Sequence, residues 1–455
     1  MKHKYFLMAL AGGLALCGHA ASARTLQVGG CTDVQPNFPT IQSAVDAAFA
    51  GDTVAVCPGS YPEQVVITRN LTLRKVTGMA SPSVTVPQGG VVQNTTTLSG
   101  SPAAAQILVQ PDTTAKVTIK NIVVDGSGNN VQTCGLQLIG IFYRNAAGAI
   151  VSNTVKNQLL PQGYQGCQSG LGIFVSNQTA GTGAVNITGN TVTNFNKNGI
   201  TMNEAASAGT IAKNTVVGLG PTDVIAQNGI QVAYGAIASV HANNVSQLIY
   251  TPETYGSSAI LLYGIDSAAY ASPPSVTKNK IDSAQYGIAL DAVNGTATSL
   301  VQVTGNKISN AAFAGVGLYT DGISDDFINV AKNTVQNTSE FDAIDACSNY
   351  NTISANKVTN TSGESAIHLD GLCGGTGIGN TVSGNTVTVA CVGILSGPPE
   401  GQNSIGANTF TDVTNEVVYG QDSYSCGGPR HAPRHRAPHH SKGGPVPGAL
   451  RPFRG

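Results

Sequence analysis

The chain has 455 residues, of which 41% are hydrophobic and 10% are charged, and it contains no tryptophan. Its 23 Lys and Arg residues nearly balance its 24 Asp and Glu residues, giving a net charge of −1. Residues 145–429 contain no arginine, eight lysines and eighteen acidic residues, a local net charge of −10. Nucleic acids and polyuronates both favour a cationic surface, so this region argues against either as a partner, unless bound Ca²⁺ inverts the local charge for a polyuronate.

The first residues have the pattern of an export signal. Lys2 and Lys4 precede an apolar run over residues 5–17, and residues 21–23 (A-S-A) resemble a signal-peptidase cleavage site. The apolar run is too short to cross a bilayer. We therefore expect residues 1–23 to be a cleaved signal peptide, with no integral membrane segment afterwards. The mature protein is expected to be secreted, periplasmic or on the cell surface.

A capping helix is expected ahead of the main body. Residues 40–50 place Ile41, Ala44, Val45 and Ala48 on one helical stripe, and a glycine follows at position 51. This helix, within a cap that spans residues 31–60, would cover the open end of the body. The segment 77–105 is rich in Ser, Thr, Pro and Gly, which predicts a loop.

A tenfold repeat dominates residues 150–410. It reads I-V-S-N-T-V-K-N at 150–157 and V-T-G-N-K-I-S-N at 303–310, and its units are 23 to 37 residues apart. A self-similar unit of this length is typical of a solenoid. We expect the repeated asparagines to stack as an amide ladder. They are Asn153, Asn190, Asn214, Asn243, Asn279, Asn306, Asn333, Asn356, Asn385 and Asn408.

A second element lies between successive asparagines and alternates apolar with variable residues, as in G-I-Q-V-A (229–233) and G-I-A-L-D (287–291). Alternation at period two predicts a strand with one buried face. The gaps are too short for crossover helices, so we predict a parallel β-helix over residues 24–425, with regular coils over 107–425. Three longer segments are expected to be surface loops: 158–170, 246–258 and 264–275.

This architecture resembles the right-handed parallel β-helix, or pectin-lyase-like, superfamily. The stretches F-P-T-I-Q-S-A-V-D-A-A (38–48), G-D-T-V (51–54) and P-G-S-Y-P-E (58–63) are similar to the cap and first coil of pectinesterases. The resemblance implies an all-β, right-handed parallel β-helix. The catalytic motifs of pectinesterases, polygalacturonases and alginate epimerases are absent, so it implies a fold rather than one activity.

Eight cysteines follow the signal, and an even number in an exported protein predicts disulfides. No C-x-x-C pair is present, which argues against a zinc cluster, and we predict no metal site. Neighbouring coils lie ~4.8 Å apart, within reach of a disulfide. The pairing that we favour, among others that stay open, is Cys31–Cys57, Cys134–Cys167, Cys347–Cys373 and Cys391–Cys426.

The last segment, 426–455, is rich in Gly, Pro, Arg and His and has no acidic residue. It lacks an apolar period, so we expect a disordered, basic tail. Its four histidines could hold a transition metal. A solvated tail that adheres weakly to anionic polymers is the simpler interpretation.

A candidate site emerges on the outward positions of the later strands. Asp345 and His368 occupy the same strand position in adjacent coils, and Asp370 lies two residues beyond His368 on the same face. Asp321, Asp342 and Glu364 flank this face. Carboxylates beside a histidine provide acids and bases, or oxygen ligands for Ca²⁺. The predicted catalytic residues are Asp345, His368, Asp370 and Asp291.

Tyrosines near this face could stack on sugar rings, since their apolar surfaces match the C–H faces of sugars. The predicted substrate-binding residues are Tyr255, Tyr263, Tyr270 and Tyr319.

Together these features predict an exported, monomeric protein that binds or cleaves a polysaccharide, in the manner of a glycoside hydrolase. One alternative is a non-catalytic surface or adhesion protein that binds glycans. A second alternative is a Ca²⁺-dependent polysaccharide lyase or epimerase, and only this one calls for a cofactor. Nucleic-acid binding is not expected.

Overall fold

The computed structural model describes residues 23–111, 115–179, 181–251, 254–266, 272–320, 326–373 and 375–425. In these residues, short strands wind into a solenoid with two long sheets and one short helix. The predicted signal peptide, apart from Ala23, and the predicted tail from Cys426 onwards lie outside the described residues. Within the described part of the chain, no helix is long and apolar enough to cross a membrane.

The first sheet has fifteen strands and receives one strand from almost every coil. Its strands are β1 (Thr25–Val28), β2 (Asn37–Phe38), β3 (Asp52–Val56), β6 (Leu71–Lys75), β10 (Lys116–Lys120), β13 (Ala147–Val151), β16 (Val185–Thr188), β19 (Ala208–Ala212), β22 (Ile237–His241), β25 (Ser275–Thr277), β27 (Val301–Thr304), β29 (Ile328–Ala331), β32 (Thr352–Ser354), β35 (Thr381–Ser383) and β37 (Ser404–Ile405).

The second sheet has twenty-three strands and contains the G-I-x-L-x segments. Its first members are β4 (Ser60–Pro62), β5 (Val65–Ile67), β7 (Ser83–Thr85), β8 (Thr95–Thr96), β9 (Pro102–Val109), β11 (Val123–Asp125), β12 (Gln137–Arg144), β14 (Thr154–Gln158), β15 (Leu171–Ser176), β17 (Thr191–Phe195), β18 (Asn198–Asn203) and β20 (Thr215–Thr222). The remainder are β21 (Asn228–Ala233), β23 (Asn244–Tyr250), β24 (Ser258–Asp266), β26 (Lys280–Asn294), β28 (Lys307–Tyr319), β30 (Thr334–Thr338), β31 (Ile344–Ala346), β33 (Lys357–Thr361), β34 (Ile367–Leu369), β36 (Thr386–Ser396) and β38 (Thr409–Tyr419).

Successive coils pair in parallel and in register, so equivalent residues stack on one another. In the first sheet Ile150 lies on Ile187, Ile187 on Ile211, and Ile211 on Val240. All four side chains are completely buried. Burying each aliphatic side chain contributes about 1.5–3 kcal/mol, so the stacked rows hold the coils together. The inward half of the repeat therefore builds one continuous core.

The repeated asparagines form the predicted ladder. The Nδ2 atom of each asparagine donates to Oδ1 of the next, at 2.9 to 3.0 Å, from Asn153 through to Asn408. The residue before the asparagine has a positive φ in most coils, for example 67° at Gly305 and 58° at Lys332. The ladder thus satisfies the backbone of a tight turn that the repeat makes in every coil.

The capping helix, α1 (Ile41–Ala47), is shorter than the sequence predicted. Thr40 caps its N-terminus through the backbone N–H of Ser43, and Glu63 accepts the N–H of Ile41 at 2.8 Å. The helix stops at Ala48, which is extended, and not at Gly51. Ile41, Ala44 and Val45 are buried as expected.

The prediction of a loop over residues 77–105 is wrong in part, because this segment contains β7 and β8 and the start of β9. β7 pairs with β11 of a neighbouring coil, and β8 pairs antiparallel with β9, so these strands have hydrogen-bond partners that composition does not reveal. Three disulfides match the expected pairing: Cys31–Cys57, Cys134–Cys167 and Cys347–Cys373. Cys391 is also disulfide-bonded, and its expected partner lies outside the described residues.

Candidate active site

Strand register brings the candidate residues onto the outward face of the second sheet. Tyr263 of β24 pairs with Asp291 of β26, and Asp291 pairs with Tyr319 of β28. In the following coils, Asp345 of β31 pairs with His368 of β34. The alignment of Asp345 with His368 that the sequence predicted is therefore present.

Six side chains gather at the C-terminal end of this face, and we call them the acidic cluster. An oxygen of Asp345 lies within 4.8 Å of an oxygen of Asp370. In one further group, a ring nitrogen of His368 lies within the same distance of oxygens of Asp342 and Glu364. In another, a ring nitrogen of His368 lies within this distance of oxygens of Asp370 and Asp422. The cluster consists of Asp342, Asp345, Glu364, His368, Asp370 and Asp422.

His368 is held by Asp342. Its Nδ1 atom is 3.2 Å from Oδ2 of Asp342, and only 1% of the residue is exposed. The other oxygen of Asp342 accepts the backbone N–H and the hydroxyl of Ser365. Burial alone would lower the pKa of His368, but the charge and the hydrogen bond of Asp342, with further contributions from Asp345 and Asp370, raise it to about 10. The ring is therefore an imidazolium cation at neutral pH.

Asp345 has the opposite character. Burial, followed by the negative charges of Asp342 and Asp370, raises the pKa of its carboxyl group well above the usual range, although His368 and Tyr319 act against this. The hydroxyl of Tyr319 donates to Oδ2 of Asp345 at 3.0 Å. Asp345 is only half-buried and can reach a ligand, and its raised pKa favours the protonated form of its carboxyl group. These are the properties of a general acid.

Asp370 is oriented by the loop that follows β34. Its Oδ1 atom accepts the backbone N–H of Leu372 at 2.7 Å, and 3% of the residue is exposed. Asp422 accepts the N–H of Gly371 at 2.8 Å, and the N–H of Tyr424 donates to Glu364 at 2.7 Å. The segment after β38 thus returns to the site. Sequence analysis missed Asp422 because it lies beyond the last repeat and belongs to no motif.

A disulfide packs beneath the two carboxyl groups. Sγ of Cys347 is 3.6 Å from Oδ1 of Asp345 and 3.9 Å from Oδ2 of Asp370. These are van der Waals contacts, because a bridged sulfur carries no hydrogen. Cys347 and Cys373 belong to a second, outward apolar cluster with Tyr286, Phe313 and other side chains.

The predicted tyrosines are not equivalent. Tyr255 is half-buried, and its ring centroid lies 6.3 Å from that of Tyr250, a half-buried neighbour outside the predicted set. Tyr263 packs edge-on to Tyr234. Tyr270 lies outside the described residues.

The ring of Tyr319 is not available as a stacking platform. It is 5% exposed and packs against Tyr286 at 5.8 Å. Burial raises the pKa of its hydroxyl, which binds Asp345. The outward apolar cluster, which the sequence pattern did not reveal, accounts for this burial.

Asp291 lies at a distance from the carboxyl pair, because it is one coil before Tyr319 and three coils before Asp370 in the same outward row. It is 3% exposed, and its charge acts on Tyr286, where it helps to raise the pKa of the hydroxyl. Asp291 stays a predicted catalytic residue, but its position fits a supporting role.

The cluster offers few ligands for Ca²⁺, which takes six to eight oxygens. Each possible group of the described residues holds three or four donors. One group includes the bridged sulfurs of Cys347 and Cys373, and the others depend on a nitrogen of His368. Each of these groups alone therefore supplies fewer ligands than a Ca²⁺ ion takes.

No family model matches the chain, and no curated protein matches it. Solved structures do resemble it. The catalytic domain of a family 87 α-1,3-glucanase in complex with nigerose aligns with a TM-score of 0.50 at 12% identity, over 87% of this chain and 67% of the other. A family 28 exopolygalacturonase of Yersinia enterocolitica aligns with a TM-score of 0.49 at 13% identity, over 88% and 77%.

At this level of identity the likeness shows the fold alone. It agrees with the parallel register, the stacked core and the ladder described above, whereas the predicted likeness of the cap to pectinesterases is not confirmed. The chain folds as a right-handed parallel β-helix.

Proposed function

We propose that the protein is a glycoside hydrolase that cleaves a polysaccharide bound along the outward face of the second sheet. One observation carries this proposal: a carboxyl oxygen of Asp345 lies within 4.8 Å of one of Asp370, and the surroundings of Asp345 raise the pKa of its carboxyl group. A pair of carboxyl groups, one acting as acid and the other as nucleophile or base, is the usual machinery of glycoside hydrolysis.

The spacing favours a retaining mechanism. Retaining enzymes hold their carboxyl groups about 5–5.5 Å apart, whereas inverting enzymes leave about 6.5–9.5 Å for a water molecule. Asp345 would give its proton to the glycosidic oxygen as the bond to the anomeric carbon breaks. Asp370 would attack that carbon as a carboxylate and form a glycosyl ester. Asp345, now ionised, would take a proton from the water that hydrolyses the ester.

His368 and Tyr319 would support this chemistry without touching the substrate. The positive charge of His368, fixed by Asp342, balances the negative charge that develops when Asp345 gives up its proton. Tyr319 keeps Asp345 in place through its hydrogen bond. The absence of arginine in residues 145–429 favours a neutral glycan over a polyuronate. Disulfides and the predicted signal peptide favour an exported protein.

A product assay tests the proposal. The protein is incubated with a panel of neutral and acidic polysaccharides, with Ca²⁺ or with a chelator, and both reducing ends and unsaturated products are measured. Hydrolysis releases reducing ends without ultraviolet absorbance, and a chelator does not affect it. Unsaturated products that depend on Ca²⁺ would support the lyase alternative.

Glycan binding without catalysis is the second candidate. His368 and Asp370 are only 1% and 3% exposed, which restricts access to the pair, whereas Tyr250 and Tyr255 are more open. In that case no polysaccharide would be cleaved. Affinity electrophoresis would then detect binding that Tyr255→Ala weakens and Asp345→Asn leaves unchanged.

A further inference from the structure

The Cys347–Cys373 bridge joins the two coils that carry the proposed acid and nucleophile. Its Cys347 sulfur lies 3.6 Å from an oxygen of Asp345 and 3.9 Å from an oxygen of Asp370. Cys347 is completely buried and Cys373 is 6% exposed. This side of the carboxyl pair is therefore closed to water.

The bridge also anchors the loop after β34. Leu372, whose N–H binds Asp370, is the residue next to Cys373. The loop packs tightly, since a Cβ atom on Gly375 would lie 2.1 Å from the carbonyl oxygen of Cys347. The same covalent link thus fixes the loop that orients Asp370.

The other two bridges in the described part of the chain have different surroundings. Cys31–Cys57 lies in the cap, where its sulfur contacts the backbone of Gly29. Cys134–Cys167 packs near Val131, Leu138 and Leu160. Neither is near the acidic cluster, so the contact with two carboxyl groups is a specific feature of Cys347–Cys373.

We propose that the Cys347–Cys373 disulfide is a positioning element of the site, which sets the spacing of Asp345 and Asp370 and, unlike two free thiols, adds no hydrogen-bond donor to those that already hold them. The inference rests on the proposed function, because it assigns the bridge a role in the same carboxyl pair. Reduction with two electrons and two protons breaks the S–S bond and forms two S–H bonds. The thiols are weak donors, and donors stabilise the ionised form of a carboxyl group.

The prediction concerns the protonation of Asp345. Cys347→Ser/Cys373→Ser places hydroxyl donors beside both carboxyl groups, and Cys134→Ser/Cys167→Ser is the matched control. The C=O stretch of protonated Asp345 is followed by infrared spectroscopy across pH and identified by its loss in Asp345→Asn. We expect the apparent pKa to fall by about one unit in the first variant and to stay unchanged in the control. The alkaline limb of the pH–rate profile should move by the same amount.

If the variant folds and the titration of Asp345 is unchanged, the inference is wrong. If the variant does not fold, the wild-type chain is reduced with a phosphine, its thiols are counted by mass spectrometry, and the same titration is measured. The inference is overturned if both the Cys347→Ser/Cys373→Ser variant and the reduced wild-type chain unfold while the Cys134→Ser/Cys167→Ser control stays folded. That result would show that the bridge has a purely structural role. The infrared titration needs no substrate, so absence of turnover would count against the hydrolase proposal alone.

Discussion

His368 forms its hydrogen bond with Asp342, although its neighbour across the strand pair is Asp345. Asp342 lies just before β31, and its second oxygen holds Ser365, so it fixes the imidazole from one side. Asp345 is left to the hydroxyl of Tyr319. The two aspartates therefore have different roles: Asp342 binds the imidazolium ion of His368, and Asp345 has a raised pKa that suits a proton donor.

Replacement of the proposed acid should abolish most of the activity. Asp345→Asn cannot give up a proton, and general acid catalysis contributes about 10²- to 10⁴-fold to a rate. We expect kcat to fall within that range, with glycan binding and melting temperature largely retained. The exposed Asp412 provides the matched control, since Asp412→Asn should leave kcat unchanged. Equal activity of Asp345→Asn and wild type would remove Asp345 from the mechanism.

The charge of His368 should make stability depend on pH. The pKa of His368 is about 10 in the folded chain against 6.5 for a free histidine. Its contribution to the free energy of unfolding is therefore complete below pH 6.5 and is lost as the pH rises towards 10. The raised pKa of Asp345 also makes the free energy of unfolding fall as the pH rises. The Asp345→Asn variant lacks this second effect, so it isolates the effect of His368. In this background we expect the melting temperature to fall between pH 6.5 and 10.

Asp342→Asn should weaken this dependence, because it removes the main partner of the imidazolium ion. In the Asp345→Asn background, adding Asp342→Asn should lower the melting temperature at pH 6 and flatten the decline above it. Differential scanning calorimetry at a series of pH values gives both quantities. A decline of the same slope in the single and double variants would mean that His368 is not its source.

An inner rung of the ladder should matter more than the last one. Asn279 donates to Asn306 and to the carbonyl of Val240, and it accepts two hydrogen bonds from Asn243. Asn279→Ala leaves these buried groups without partners, at about 1–3 kcal/mol each. We expect a loss of about 3 kcal/mol or more in the free energy of unfolding.

Asn408 ends the ladder and is half-buried, so water can replace its contacts. Asn408→Ala should therefore cost about 1 kcal/mol. Urea denaturation of the two variants compares them directly. Similar losses at both positions would show that burial of the rungs does not govern their contribution.

The stereochemistry of the product reports the spacing of the carboxyl groups. Because an oxygen of Asp345 lies within 4.8 Å of one of Asp370, we expect the first product to keep the anomeric configuration of the substrate. Proton NMR during the first minutes of the reaction distinguishes the two anomers. Inversion of the anomeric configuration would mean that a water molecule attacks, activated by a base that lies farther from Asp345 than Asp370 does.

Much of the fold could be predicted because it is periodic. One asparagine in each coil and one G-I-x-L-x strand between asparagines determine the register, so the ladder and the pairing of Asp345 with His368 follow from counting positions. Three disulfides followed from the same logic of neighbouring coils. The cap helix is shorter than predicted because Ala48 takes an extended conformation. The prediction had used Gly51 to mark the end of the helix, and glycine positions do not reveal an earlier stop at an alanine.

The site could be predicted only in outline. Asp342 and Glu364 were placed at its edge, but nothing in the repeat shows that Asp342, and not Asp345, binds His368. Asp422 reaches the cluster from 51 residues beyond Gly371 in the sequence, a contact outside the period of the coils. The burial of Tyr319 depends on aromatic neighbours from several coils, which a strand pattern does not specify.

The asparagine ladder also has a direction. Every amide in it donates forward to the next coil and accepts from the coil before, so the amide dipoles, each ~3.5 D, point the same way along the axis. Their positive pole faces the C-terminal coils. The ladder therefore contributes a dipole along the axis, and its positive pole lies towards the coils that carry the acidic cluster.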